Sequence, residues 1–456
     1  MFYIQGMSTP DVRGNPCGSS HRSALEAAES ALWRMMSFYD SPVADLQAAA
    51  AADPAWALPH VMQAGVVLGL NEAGLLPQAR SHIVTAEALA EAAPPRERAH
   101  LKAAKLLLEG RSQAACCVWD ELLLAHPRDA LALHFAQLWD FHRGDVKGLR
   151  QRPARALPEW DEADPLYPHV LALYAFGLEE DHLYPQAEEA GRRALALQPR
   201  APWAVHAVAH VMDMQGRYEE GAGWLRLHQS AWAEGNQFAA HLWWHKSLFR
   251  LEAMDLVGVL RLVDTHLSGD ALQFTAQRVD AISMLWRLHL LGEDVSAVFK
   301  QVLAQWPLDD AEAGHHAFND VHAVLAWLGA DEPQRAEAWV ARCAARALEP
   351  ADARRSDHLV MREIGLPLMR GLLALARGDA DGAVDTIYPM RNQAQRLGGS
   401  HAQRDLVDHT LLAAAAQGGR RALGHALLNE RQMSKPVTPL MREWMDRMAV
   451  PDTLRA

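Results

Sequence analysis

The sequence predicts an all-α fold, a continuous superhelix of stacked helical hairpins (an α-solenoid). Three observations predict it. Alanine, leucine, arginine and glutamate dominate while β-branched residues are sparse, the composition of a chain that is helical almost throughout. Small residues recur at the length of one helix pair, Ala187 and Gly221 standing 34 residues apart. Two histidine pairs, His206/His210 and His241/His245, repeat with an offset of 35 residues.

The elements follow in order. Residues 1–18, with Gly14, Pro16 and Gly18, are expected to form an irregular arm ahead of one uninterrupted array over 19–456. A first helix is expected from about Ser23 to Tyr39, on the apolar positions Leu25, Ala28, Leu32, Met35 and Met36. Pro42 restarts the chain into a helix ending near Ala51. Asp53-Pro54 breaks it, because the residue before a proline is pushed out of the helical region. Residues 55–70 and 77–93 make the next pair. Arg96 to Pro127 is the first good match to a 34-residue tetratricopeptide-like unit, with Ala103, Ala115 and Pro127 at positions 8, 20 and 32. Small side chains are wanted there where two helices cross, and proline where the second one ends. Residues 129–142 give a helix ended by Arg143-Gly144-Asp145. Residues 151–168 hold Pro153, Pro158, Pro165 and Pro168 and read as the longest irregular segment, a turn of the solenoid or a loop across its concave side. Residues 168–201 repeat clearly, and the next unit opens at Pro202 and turns at Gln215-Gly216-Arg217-Tyr218. Further hairpins are expected at about 238–268, 273–305, 315–345, 357–394 and 402–430, with a bend at Gly365-Leu366-Pro367-Leu368 and a last capping helix after SKPVTPL.

Charge and motifs narrow the function classes. The 456 residues carry a formal charge of −12, with a pI near 6.0. No basic run is available to release counterions, which argues against a nucleic-acid or anionic-membrane partner. No run of about 18 apolar residues suits a spanning helix. MFYIQGMSTP lacks the basic-then-apolar order of a signal peptide, so a cytoplasmic protein is expected. Cys17, Cys116, Cys117 and Cys343 show no CxxC spacing and read as buried apolar residues in a reducing compartment. The absence of GxGxxG, GxxxxGK[ST] and GxSxG argues against nucleotide-dependent and α/β-hydrolase chemistry, and no HExxH is present.

The histidines are the main candidates for chemistry. A spacing of four puts both rings of a pair on one helical face. In tetratricopeptide hairpins positions 5 and 9 of the first helix point into the concave groove. With Pro202 as position 1 these are His206 and His210, and Asp213 lies on nearly the same face. Three readings stay open: hydrogen-bonded core histidines; ligands of a transition metal ion such as zinc or iron; and metal-free acid–base or carboxylate-binding chemistry. Trp243 and Trp244 could wall such a pocket. In GHHAFNDVHAVLAWLG, His315, Asn319 and His322 share one face, and His316 and Asp320 a neighbouring one. In GGSHAQRD, Ser400 is a candidate N-cap before Gln403, Arg404 and Asp405. The last two form either an internal ion pair or, through Arg404, an anion clamp.

With those stretches in view, the chain resembles the tetratricopeptide repeat protein 38 family. The resemblance rests on DPAWALPH, YAFGLEE, YPQAEEAGRRALALQP, WAVHAVAHVMDMQGR, HLWWHKSLF, FNDVHAVLAWLGA, GLPL and LGGSHAQRD, and it extends over nearly the whole length. It implies an all-α, soluble protein and hands over no reaction. The family pattern includes matches to His206, His210, His241, His245, Asn319, Asp320, His322, Gln403, Arg404 and Asp405, while His401 stands where asparagine is expected. The expectation drawn from residues and resemblance together is a histidine-rich concave pocket for a small molecule. His206, His210, His241 and His245 would be metal ligands or proton carriers, oriented by Asp320 and His322. Arg404 would bind a carboxylate or phosphate, and Asp213, Trp244, Asn319, Gln403 and Asp405 complete the set. The rival is a groove for an extended peptide or helix of a partner protein. Catalytic turnover and oligomeric state, homo-oligomer included, stay open.

Overall fold

In the computed structural model, which describes residues 9–349 and 355–449, successive helices pack on one another as hairpins from Arg22–Ser37 and Val43–Ala52 to Leu406–Gln417 and Arg421–Ser434. Pro439–Ala449 closes the array. The only strands among the described residues are Thr9–Pro10 and Pro16–Cys17, a short antiparallel pair within the expected arm; residues 1–8 and 450–456 of the expected arm and array lie outside the described residues. Prolines stand at the starts of Pro202–Met214, Pro333–Leu348 and Pro95–Leu108, where a missing N–H costs nothing.

The two helices of a hairpin differ in kind. In Pro202–Met214 every residue but Trp203 and Met214 is buried, and in Ala317–Gly329 every residue but Asn319. Their partners Tyr218–Leu227 and Pro333–Leu348 bury only a stripe. A helix that is apolar and small on all sides is surrounded by others, and one with a single apolar face is peripheral. The first helices therefore form the inner wall and the second ones the outer. Among the described residues no helix is long and apolar enough to cross a membrane. The four cysteines are free thiols, and Cys117 is exposed, against the expectation that all four are buried.

The superhelix closes on itself. After the first helix, Phe38 O accepts from Gln237 N at 2.9 Å and Tyr39 Oη donates to Ala231 O at 2.6 Å. Next, Glu72 accepts from Thr275 N at 2.6 Å, and Gly74 N donates to Glu312 at 2.8 Å. The concave channel holds the chain's own buried turn, residues 397–404, whereas Tyr388–Leu397 ahead of it is largely exposed. That turn reaches His142 through Gly398, Glu180 through His401 N, and Arg287 through Ala402 O.

Two expectations need correction. Residues 151–168 are not the longest irregular segment and do not cross the channel. Helix Val146–Ala156 runs through Pro153, Leu157–Glu159 is a 3₁₀ turn, and only 160–166 is irregular. Pro153 gives no N–H to the carbonyl of Leu149, and Gly177 of the next inner helix packs directly on that carbonyl, where a Cβ would collide. The bend at 365–368 is a π-helical turn, Met361–Gly365, leading straight into Leu366–Ala376.

Gly144 carries a testable consequence of the closure. Its φ is +66°, and a Cβ would run into the carbonyl of Gln395, just ahead of the turn that enters the channel. Gly144→Ala is expected to cost ~3 kcal/mol, from left-handed strain plus the clash. Gly378→Ala has similar backbone (φ +80°) but open space around it, and is expected to cost only about 1 kcal/mol. Chemical denaturation of both variants checks the difference.

Candidate functional site

Four imidazoles meet on the inner wall. His206 and His210 come from Pro202–Met214, where alanine and valine between them let the helix sit close to its neighbours; His241 and His245 come from Ala239–Glu252. His206 Nε2 lies 3.1 Å from His241 Nε2, and His245 Nε2 lies 3.2 Å from the same atom. The His210 ring centre is 4.4 Å from those of both His206 and His245. One nitrogen from each of the four lies within 4.8 Å of the others. His206, His210 and His245 are buried, and only His241 keeps some exposure, 14 % of its side chain.

The tautomers follow from the surroundings. On Thr275–Leu290, Asp280 accepts from His241 Nδ1 at 2.7 Å through Oδ2, and from Gln403 Nε2 at 3.0 Å through Oδ1. A carboxylate only accepts, so His241 carries a proton on Nδ1, and in the neutral ring the Nε2 lone pair then faces the other two Nε2 atoms. Burial, reinforced by the neighbouring rings, holds His206 and His245 well below the usual imidazole value. Burial also takes His210 down to about 3, against the charge of Glu180. At neutral pH these three rings are uncharged, the form in which an imidazole binds metal.

A carboxylate pair adjoins the cluster at the end of Tyr167–Glu180. Glu180 is fully engaged, accepting from His401 N at 2.8 Å and Arg404 Nη2 at 3.0 Å. Burial would raise it, but the charges of His401 and Arg404 outweigh burial and hold it at about 2. Neither oxygen of Glu179 has a hydrogen-bond partner. Its Oε2 is 3.4 Å from His210 Nδ1 and its Oε1 3.6 Å from His401 Nδ1. Burial pushes Glu179 up to about 7. Burial opposes the charge on His401, yet Glu180 and Glu179 prevail and its value is raised. His401 stacks on His182, ring centres 4.6 Å apart.

Partly exposed aromatic rings surround His241. Phe238 lies 4.8 Å from it, Phe38 stacks on Phe238 at 5.1 Å and on Trp203 at 5.5 Å, and His134 is 6.5 Å from Phe38. Phe38 takes a left-handed conformation (φ +59°) at the end of the first helix, and the closure contacts with 231–237 hold it over the cluster. These rings form a mouth above the one imidazole that reaches the surface.

The remaining sequence candidates divide. Trp244 backs His241 and His245, ring centres 5.3 and 4.9 Å away, and donates to Ser283 Oγ at 2.9 Å. Gln403 meets Asp280 and completes a capping box with Ser400, the expected N-cap. Asp320 and His322 do not orient the four histidines. Asp320 Oδ1 accepts from Gly314 N, from Trp339 Nε1 at 2.9 Å and from Cys343 Sγ at 3.3 Å, which pins the inner helix to its outer partner; burial raises Asp320 to about 7. His322 Nδ1 donates to Phe318 O of its own helix at 2.8 Å. Asn319 bridges to Asn71 O. Asp213 stands apart too, 3.9 Å from Lys435 Nζ, in a charged cavity of about 140 Å³ shared with Arg391, Asp405, Asp408 and Arg431. Arg404 and Asp405 form no internal pair. Arg404 binds Glu180, and Asp405 binds Arg431 and His409.

Asp280, Glu179 and Glu180 were not among the sequence candidates. The available signal was a carboxylate inside an otherwise apolar inner helix, which requires a partner once buried. No family model matches the chain.

Proposed function

We propose that the four histidines are the ligand set of a transition-metal centre and that a small molecule reaches it past the aromatic mouth. The carrying observation is the convergence of His206 Nε2 and His245 Nε2 on the lone pair of His241 Nε2. One in-plane lone pair is a poor acceptor for two N–H donors, whereas one cation satisfies all three nitrogens together. Nitrogens bound tetrahedrally at about 2.0–2.1 Å stand roughly 3.3–3.4 Å apart, close to the spacing here. An all-imidazole set suits zinc, copper, iron or nickel. Asp280 accepts from the far nitrogen of His241, the carboxylate contact that fixes the ring of a metal-binding imidazole and strengthens it as a donor.

A bound cation would supply Lewis acidity toward an oxygen of the ligand. The chain's own groups do the rest: Glu179, 3.4 Å from His210 Nδ1, is placed to orient that ring, and Phe38, Trp203 and Phe238 offer apolar faces to the ligand. The partner-peptide reading is the weaker one, because the chain's own turn 397–404 is buried in the channel beside the cluster. Membership of the tetratricopeptide repeat protein 38 family is part of this proposal and rests on the HAVAHV, FNDVH and GGSHAQRD stretches. A cytoplasmic location is likewise proposed, and four unpaired thiols support it.

Elemental analysis of protein reconstituted with cobalt(II) or zinc tests the reading. Bound metal is expected to survive gel filtration, cobalt to give ligand-field bands in the visible, and the His206→Ala/His241→Ala variant to lose the metal of this cluster while staying helical. A wild-type protein that takes up neither ion overturns the proposal. A double variant that melts far below the wild type, with no metal bound by either, returns the histidines to the core.

A further inference from the structure

We infer that the cavity between the amino-terminal arm and the first inner helices binds an uncharged amphipathic molecule, an alkyl chain ending in a carbonyl or hydroxyl oxygen, with Arg96 as the donor to that oxygen. The inference is independent of the metal reading of the histidine cluster.

The cavity measures about 520 Å³, within the roughly 300–1,000 Å³ of small-molecule sites. Three helices supply its apolar wall. Leu25, Ala28 and Leu32 stand at i, i+3 and i+7 on Arg22–Ser37, Leu58 and Met62 at i, i+4 on Leu58–Gly69, and Leu131 on Ala130–His142. The arm forms another side through Pro10, Asp11 and Cys17. Protein interiors hold few voids larger than a water molecule, so an apolar hollow of this size suits an occupant that is itself apolar.

One buried polar group interrupts the wall. Arg96 lines the cavity and is only 4 % exposed. Its Nε donates to Asp129 Oδ2 at 2.7 Å, while its Nη1 has no hydrogen-bond partner. Buried donors are nearly always paired, so this nitrogen calls for an acceptor carried by the occupant. Asp129 fixes the guanidinium in place. It is the N-cap of Ala130–His142, with Oδ1 accepting from Ala132 N, and its Oδ2 is shared with His100 Nε2.

The surrounding charges decide what that acceptor is. Asp129 already meets the charge of Arg96. Asp11, Glu26 and Glu29 also line the cavity, with Arg22 paired to Glu26 and Arg13 to Glu29. Glu97 is buried behind the arm, accepting from Gly18 N at 2.8 Å and Trp56 Nε1 at 2.9 Å. A carboxylate or phosphate head would add negative charge among these acids, whose arginines are already engaged. A neutral oxygen takes the N–H without that cost.

The test uses 2-nonanone, nonanoate and full-length protein carrying carbon-13 in its methionine methyl groups. Met62 lines the cavity, and the conservative Met62→Leu variant identifies its signal. Titration with 2-nonanone is expected to shift the Met62 signal saturably. Nonanoate is expected to bind roughly tenfold or more weakly. Arg96→Lys keeps a cation for Asp129 but gives up the planar fork, and is expected to weaken 2-nonanone about tenfold. Ala28→Phe, which fills the cavity, is expected to abolish the response. A Met62 signal that the ketone leaves unmoved overturns the inference, as does a response confined to other methionines or nonanoate binding as tightly as the ketone. A Met62 signal indifferent to ketone but shifted in Phe2→Ala/Ile4→Ala assigns the cavity to the chain's own amino-terminal residues and overturns it too. The wild-type titrations decide the matter even where Arg96→Lys or Ala28→Phe fails to fold.

Discussion

The metal-free protein is expected to unfold cooperatively on acidification, with a midpoint between about pH 4 and 6. Its interior holds many histidines in the neutral state. Burial brings His142, His210 and His315 down to about 3, and His134, His169 and His322 to about 4; His206 and His245 are held well below the ordinary value. Each such ring binds fewer protons folded than unfolded. Its contribution to stability is therefore complete above the ordinary value of about 6.5 and is lost as the pH falls toward the folded one. A ring shifted from 6.5 to about 3 has lost about 3 kcal/mol by pH 4. Three buried carboxyls act in the opposite sense: Glu179 and Asp320, raised to about 7, and Asp213, raised to about 6. Their stabilisation is complete below their ordinary values and is lost as the pH climbs through 6–7. Eight rings against three carboxyls tip the balance toward loss of stability in acid, against the roughly 5–15 kcal/mol that holds a typical domain. Circular dichroism at 222 nm across pH 8 to 3 reads this directly. Full helicity at pH 4 would mean that the interior histidines take up protons without cost, as exposed rings do. Saturating zinc is expected to move the midpoint toward acid, because protons and cation compete for the same lone pairs.

The hairpin array was legible because it is local. Helix ends followed from proline, glycine and the spacing of small residues, and the 35-residue offset between histidine pairs was enough to bring His206 and His245 to the same atom of His241. What misled was assigning partners from a shared face alone. Asp320 sits in the same FNDVH stretch as His322, but its side chain turns to Trp339 and Cys343 on the outer helix. Asp280, one hairpin beyond His241, takes the orienting role instead. Which carboxylate meets which ring depends on superhelical curvature, and no sequence period encodes that. The channel segment was hidden for the same reason. Arg404 and Asp405 are neighbours in sequence, yet they bind Glu180 and Arg431 because the turn 397–404 lies inside the superhelix. Pro153 misled in a simpler way: a proline deprives only the carbonyl four residues earlier, and Gly177 lets the helix beside it fit the result.

Asp280→Asn is expected to weaken zinc or cobalt binding by about 10–100-fold while the fold survives. The asparagine keeps the size of the side chain and one oxygen to accept from His241 Nδ1, so the ring need not move. It removes the charge that makes His241 a stronger donor to metal. It also sets an amide NH₂ toward Gln403 Nε2, and Gln403 cannot turn its amide over without losing the hydrogen bond its Oε1 accepts from Ser400 N, so one hydrogen bond at this turn is lost. Competition titration with a chromophoric chelator gives the affinity, and thermal melting of the apo protein gives the stability. The two together separate the explanations. If Asp280 serves only to satisfy His241 in a packed core, the melting temperature falls and metal affinity stays where it was. If it tunes a ligand, affinity falls further than apo stability, and Asp280→Glu, which restores the charge at a longer reach, recovers part of the affinity without recovering the packing.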